Sequence, residues 1–134
     1  MNRQTSTERM QENKKQLKRK ELIFVSADRA EFKEVLPGVS KALIWGNDQT
    51  GPYGAFTRFV PGIDAGMHTH TNDVHVVVIK GAYLYKDSAG EKRIGAGEFI
   101  RIPGGTKHWS GSDPNEGALF YEESSGKFDV VPVN

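Results

Sequence analysis

All four histidines of this 134-residue chain lie between positions 68 and 108, inside two glycine-bounded segments. The first runs Gly62-Ile63-Asp64-Ala65-Gly66-Met67-His68-Thr69-His70 and continues to His75 and Gly81; the second runs from Gly97 through Pro103-Gly104-Gly105 to His108. Neutral imidazole is the commonest metal ligand among side chains and suits zinc, iron, copper and nickel. On an extended chain, residues two apart face the same way, so His68 and His70 form half of a site. His108, behind the bend at Pro103-Gly104-Gly105, is placed to complete it from an adjacent strand. Three nitrogen donors on strands leave positions open for water, dioxygen or substrate, as catalytic metal sites do.

The elements that must carry these residues are short strands. Fifteen glycines and six prolines, concentrated after residue 36, punctuate apolar runs at intervals of roughly 8–12 residues, the pattern of a sandwich or small barrel with about eight strands. Leu22 to Val25 is an apolar run, and Ser26-Ala27-Asp28 is suited to capping one helical turn through Phe32. Pro37-Gly38 is a turn. Strands are expected over Ala42–Trp45, Ala55–Val60, Val74–Ile79, Tyr83–Tyr85, Glu91–Ile94, Phe99–Ile102 and Ala118–Glu122, with Gly81 turning the chain and Asp87-Ser88-Ala89-Gly90 making a hairpin loop.

The two histidine segments resemble the motifs of the cupin superfamily. Gly62, His68, His70 and Gly81 match its first motif, and Gly97, Pro103, Gly105 and His108 match its second. Trp45-Gly46, Gly51-Pro52 and Val76-Val77-Val78-Ile79-Lys80-Gly81 are most similar to the ChrR-type cupins, the group named for the zinc-binding domain of an anti-sigma factor. The resemblance covers Leu22 to Val130. It implies an all-β, jelly-roll β-barrel of two antiparallel sheets, with a metal inside bound by His68, His70 and His108. The acetylacetone-cleaving iron dioxygenase is similar in architecture and implies a three-histidine iron site. Pairing of edge strands, frequent in such barrels, implies a homodimer.

Two positions depart from the superfamily pattern. Its motif glutamate is missing: counting forward from His70 puts His75 there, whereas counting back from Gly81 puts Val74 there. Neighbours on a strand face opposite sides, so the choice between a four-histidine and a three-histidine site turns on one residue, and a bulge near Asn72-Asp73 would decide for His75. Asp73 is a weaker carboxylate alternative. Ser112 stands where the second motif has asparagine. Without a carboxylate ligand a divalent ion keeps its full charge, which favours an anionic oxygen ligand such as an enolate or carboxylate.

Other residues are candidates for the chemistry around the metal. His75, if outside the ligand set, is placed to act as a base. Arg58, on a strand face with Phe56 and Val60, is a candidate for holding an anionic substrate inside the barrel. Tyr83, Tyr85 and Tyr121 are candidate pocket residues. Glu122 and Glu123 are adjacent, so at most one of them faces inward, and Glu122 is the candidate acid. Trp109 follows a ligand and is expected to face away from it, into a second layer of the core.

Charge and composition bound the rest. Net charge is +1, but residues 1–21 carry seven Lys/Arg against three Glu, and the remainder carries eleven against fourteen Asp/Glu. Residues 1–21 read as a polar appendage and 22–134 as the barrel domain. The run Lys14-Lys15-Gln16-Leu17-Lys18-Arg19-Lys20 lacks interleaved aromatics and sits on a slightly acidic body, so no nucleic-acid partner is expected. Nor is a membrane partner, since no apolar stretch suits a span or secretory signal; the expected location is cytoplasmic. With no cysteine, any metal must bind nitrogen and oxygen. The expected function is a histidine-only metal site, with Fe2+, Mn2+ or Zn2+, in a dioxygenase acting on a small diketone-like or enolisable compound. The alternative is a zinc-binding or ligand-sensing module in a stress response.

Overall fold

The computed structural model describes Thr5 and residues 21–134; the basic run at 14–20 lies outside the described residues. A single 3-10 turn, Ala27–Arg29, follows Ser26 without a side-chain cap. Ten strands then succeed one another: β1 (Lys33–Leu36), β2 (Val39–Gly46), β3 (Tyr53–Phe59), β4 (Asp64–Thr69), β5 (Val74–Asp87), β6 (Gly90–Gly95), β7 (Phe99–Ile102), β8 (His108–Ser112), β9 (Ala118–Ser124) and β10 (Val131–Pro132). No helix among the described residues is long and apolar enough to cross a membrane.

Every named pairing is antiparallel, and β5 belongs to two sheets at once. Its first half pairs with β9 and β7 in a sheet ordered β1-β2-β3-β9-β5-β7; its second half pairs with β6 and β8 in a sheet ordered β10-β4-β8-β5-β6. The result is the expected all-β jelly roll, its two sheets joined by one strand that passes from one to the other.

The change of sheet explains a difference from expectation. Gly81 does not end a strand. It bends one, with φ at +69° and the register of β5 against β9 shifting between Val78 and Lys80. A Cβ at Gly81 would lie 2.2 Å from the carbonyl oxygen of Gly117, so glycine is required both for its conformation and for the approach of the neighbouring chain.

The core fills the space between the sheets. Val74, Val76 and Val78 point inward from β5, together with Tyr83, Tyr85, Ile94, Ile102, Ala118 and Phe120. Period-2 alternation therefore holds along the first half of β5, which is buried on one face only: Val77 is 39% exposed. Leu22–Val25 makes no strand, and Leu22 and Phe24 are more than 90% exposed. Trp109 faces away from His108 as expected but lies on the outer face and not in a second layer of the core; its indole donates to Asp64 Oδ1 at 2.6 Å and the Lys86 ammonium sits over the ring.

Candidate metal centre

Antiparallel pairing of β4 with β8 sets His68 directly opposite His108. His70 lies just beyond the end of β4, and its carbonyl accepts the Gly105 amide at 2.8 Å, tying the Pro103-Gly104-Gly105 bend to the first histidine segment. Asp73, the alternative carboxylate, accepts the Gly104 amide at 2.8 Å and so fastens the same bend. The three imidazoles converge: ring centroids are 4.3 Å apart for His68 and His108, 4.8 Å for His68 and His70, and 5.2 Å for His70 and His108. One ring nitrogen from each lies within 4.8 Å of the others, and all three residues are buried.

Each ring is oriented by a backbone carbonyl. Nδ1 of His68 donates to Gly66 at 2.8 Å, Nδ1 of His70 to Asp129 at 2.6 Å, and Nδ1 of His108 to Thr106 at 2.9 Å. A carbonyl only accepts, so each Nδ1 carries the hydrogen and each Nε2 offers a lone pair. Among the described residues Nε2 of His108 is the one buried side-chain polar atom with no hydrogen-bond partner. An unpaired buried acceptor is costly, and a metal ion supplies the missing partner. Burial also suppresses the charged forms. His70 is held below its ordinary pKa, and His108 is lowered to about 4, in both cases mainly by desolvation. The donor set thus fits a divalent ion.

His75 is not brought to this cluster. Val74 and Val76 are buried, and His75 between them faces the other way, stacked on Phe99 with centroids 6.1 Å apart. From Val74 to Val77 the pairing with β7 runs without a shift, so alternation puts Val74 on the inward face and His75 on the other. His75 is therefore neither a fourth ligand nor, on the far side of the sheet, a base for a ligand in the barrel. Arg58 is likewise outside: β3 does alternate, but Tyr53, Ala55 and Thr57 carry its buried side chains, and the Arg58 guanidinium lies over the Phe32 ring at 4.0 Å.

His68 and His70 open onto a cavity of about 340 Å³ between the two sheets. Its walls are mostly apolar, from Phe59, Val74, Val76, Phe120 and Phe128, with Val35, Leu36 and Val130 also lining it. Tyr83 lines it too, fully buried, and burial pushes its phenol above the ordinary range. Tyr85 lies behind, stacked on His108 at 5.5 Å, its pKa raised to about 12 by burial and by its bond to Asp87. Tyr121 points outward and accepts the Trp45 indole hydrogen at 2.8 Å.

Glu122 faces the cavity and Glu123 does not, as alternation requires. The Glu122 carboxylate is 4% exposed and accepts hydrogen bonds from Tyr53 at 2.6 Å and from Thr57. The Lys41 ammonium stands 3.7 Å from it and 3.4 Å from Asp48, over the Phe128 ring at 3.9 Å. Burial, then the Glu122 charge, pushes the Tyr53 phenol far above its ordinary range. Lys41, Tyr53, Thr57 and Phe128 were not anticipated. Inward alternation on β3 was the available signal for Thr57 and Tyr53; Lys41 and Phe128 come from distant segments and carry none.

Comparison with known proteins agrees with this fold. The family model described as the ChrR cupin-like domain matches residues 20–125. The polyketide cyclase RemF from Streptomyces resistomycificus superposes with a TM-score of 0.70 at 16% identity, covering 85% of this chain and 87% of that one. A protein of unknown function with a cupin-like fold from Ralstonia eutropha gives 0.67 at 23% identity, covering 82% and 76%. A third likeness is to the Rhodobacter sphaeroides complex of SigE with the anti-sigma ChrR, at 0.61 and 14% identity, covering 75% of this chain and 51% of that one. At such identities these structures share the fold alone. No curated protein sequence matches.

Proposed function

The chain belongs to the ChrR cupin-like family, and from that premise we propose that it is a metal-dependent enzyme acting on a small enolisable compound of the β-dicarbonyl type, as a dioxygenase. The observation that carries the metal is the unpartnered Nε2 of His108, fully buried and set against two further imidazoles whose Nδ1 atoms are already engaged. His68, His70 and His108 would hold the ion. Bound there, a divalent ion supplies Lewis acidity toward a chelating pair of oxygens and, as iron or manganese, access to dioxygen chemistry.

The substrate class follows from the charge and shape of the cavity. Three neutral donors leave the ion's charge uncompensated by any ligand, which favours an anionic chelate. The apolar walls suit a compact carbon skeleton, and about 340 Å³ is at the small end of ligand sites. Phe59, Phe120 and the valines of β5 exclude bulk water from a ligand held against the histidines.

Metal content by mass spectrometry, on the wild type and on the double variant His68→Ala/His108→Ala, is the test. Near-stoichiometric iron or manganese, lost in the variant, with oxygen consumed when a β-diketone is added, is the expected result. Tightly held zinc with no spectral response to the diketone would move the assignment to a binding or sensing module. Little metal in either protein would overturn the reading.

A further inference from the structure

We propose that Glu122 is the general base of this site, taking the proton from the carbon between the two carbonyls of a β-dicarbonyl ligand held at the histidine centre. The inference rests on the enolisable-substrate reading above. Two carboxylates line the cavity, and only Glu122 is buried: Asp64 is exposed and already accepts the Trp109 indole and the Gly66 amide. Glu122 and His70 line the same cavity.

Its partners permit a change of protonation. If Glu122 served only to neutralise Lys41, one carboxylate would suffice, yet Lys41 has two, and Asp48 at 3.4 Å is the nearer. When Glu122 takes up a proton, the ammonium keeps Asp48 and the Phe128 ring, so no buried cation is left alone. The hydroxyls of Tyr53 and Thr57 hold the carboxylate in place in either state, since each oxygen keeps lone pairs to accept them. The charged and titratable groups facing Glu122 are Lys41 from β2, Asp48 beyond it, Tyr53 from β3, His70 and Tyr83. Tyr53 already spends its own proton on Glu122, the engaged Nδ1 atom leaves His70 only its metal-facing nitrogen, and Asp48 does not line the cavity.

The step balances without a further reactant. The C–H bond breaks, its electron pair passes into the dicarbonyl to give the enolate, and a new O–H bond forms on Glu122. An anion is created in the cavity while another is neutralised, so the total charge of the cavity is unchanged. That avoids two unscreened negative charges facing each other in a medium of low dielectric.

The test uses full-length protein loaded with zinc, which binds the enolate without redox turnover, and 2,4-pentanedione as the probe. Protons released to solvent on binding are counted by calorimetry in buffers of different ionisation enthalpy. In the wild type, binding should release essentially none, because Glu122 keeps the proton. In Glu122→Gln, whose side chain holds the same shape without basicity, about one proton per bound diketone should appear in solvent. Equal release by both proteins, with binding intact, overturns Glu122 as the base and leaves the enolisable-substrate reading standing. Failure of the zinc-loaded wild type to bind the diketone overturns both. Should the variant not fold, infrared difference spectra of the wild type decide: binding should produce the carbonyl stretch of a neutral carboxyl that shifts on 13C-labelling of glutamate, and its absence refutes the proposal.

Discussion

Nδ1 of His70 donates to the backbone carbonyl of Asp129 at 2.6 Å, so one imidazole of the candidate metal centre is oriented by a segment fifty-nine residues later. The same segment is clamped down by its own side chain: the Asp129 carboxylate accepts the Thr71 amide at 2.7 Å and the Thr71 hydroxyl. Phe128, next to it, packs on the His70 ring with centroids 5.2 Å apart. The last residues before β10 thus act as a strap that fixes one imidazole's tautomer and tilt.

Loosening that strap should weaken metal binding without removing a ligand. Asp129→Ala takes away the clamp on Thr71 and should raise the zinc Kd by about tenfold, within the range seen when groups supporting a metal ligand are lost. Competition titration against a chromophoric chelator measures it. Stoichiometry should stay at one ion per chain; an unchanged Kd would mean that β4 alone holds His70.

Removal of single histidines should divide them sharply. His108→Ala deletes the buried donor that lacks any other partner and should abolish stoichiometric metal, whereas His75→Ala, on the outer face against Phe99, should leave metal content unchanged. Mass spectrometry of the purified proteins reads the contrast. Loss of metal in His75→Ala would restore the four-histidine site.

Where sequence reading succeeded here, it did so through local periodicity. The His-x-His spacing placed two imidazoles on one face, and the bend before His108 brought the third across from His68. Local periodicity also separated Glu122 from Glu123. The failures came where one residue of register, or a contact across the barrel, decided the answer. His75 and Arg58 sit on strands correctly located but on their outer faces, because alternation gives two faces without saying which is inside. Gly81 read as a turn because a glycine between two apolar runs is a breaker signal, whereas here the chain bends with positive φ and continues into the second sheet. Asp129 and Lys41 left no local trace at all, since their roles exist only once distant strands have met.

Gly81 itself offers a stability test. Gly81→Ala combines a left-handed backbone with a Cβ placed 2.2 Å from the Gly117 carbonyl, at the bend where β5 passes between sheets. The expected loss is more than about 2 kcal/mol. Gly51→Ala is the control, since a Cβ there meets nothing within 4 Å, and its effect should stay within about 0.5 kcal/mol. Urea denaturation of both proteins in the metal-free form gives the comparison. Similar midpoints for the two would mean that the bend relaxes around a side chain.

The buried histidines also fix the sign of the pH dependence. In the folded, metal-free protein burial lowers His108 from its ordinary value of 6.5 to about 4, and His70 moves in the same direction. As pH falls below 6.5 the unfolded chain takes up protons at these positions while the folded one does not, so the unfolded state gains. Stability contributed by His108 is therefore complete above 6.5 and is lost progressively down to about 4, below which this group has no further effect. The slope should approach about 1.4 kcal/mol per pH unit for each histidine fully protonated in the unfolded state only. Above about pH 5, where most carboxylates remain ionised, the histidines should dominate. Urea midpoints of the metal-free wild type should thus fall between pH 6.5 and 5, and less steeply in His108→Gln, which cannot titrate. Zinc should steepen the wild-type dependence, because the ion binds only the neutral rings and protons must displace it. A midpoint that stays flat across this interval would show that the histidines titrate alike in the folded and unfolded chains, and that burial does not keep them neutral.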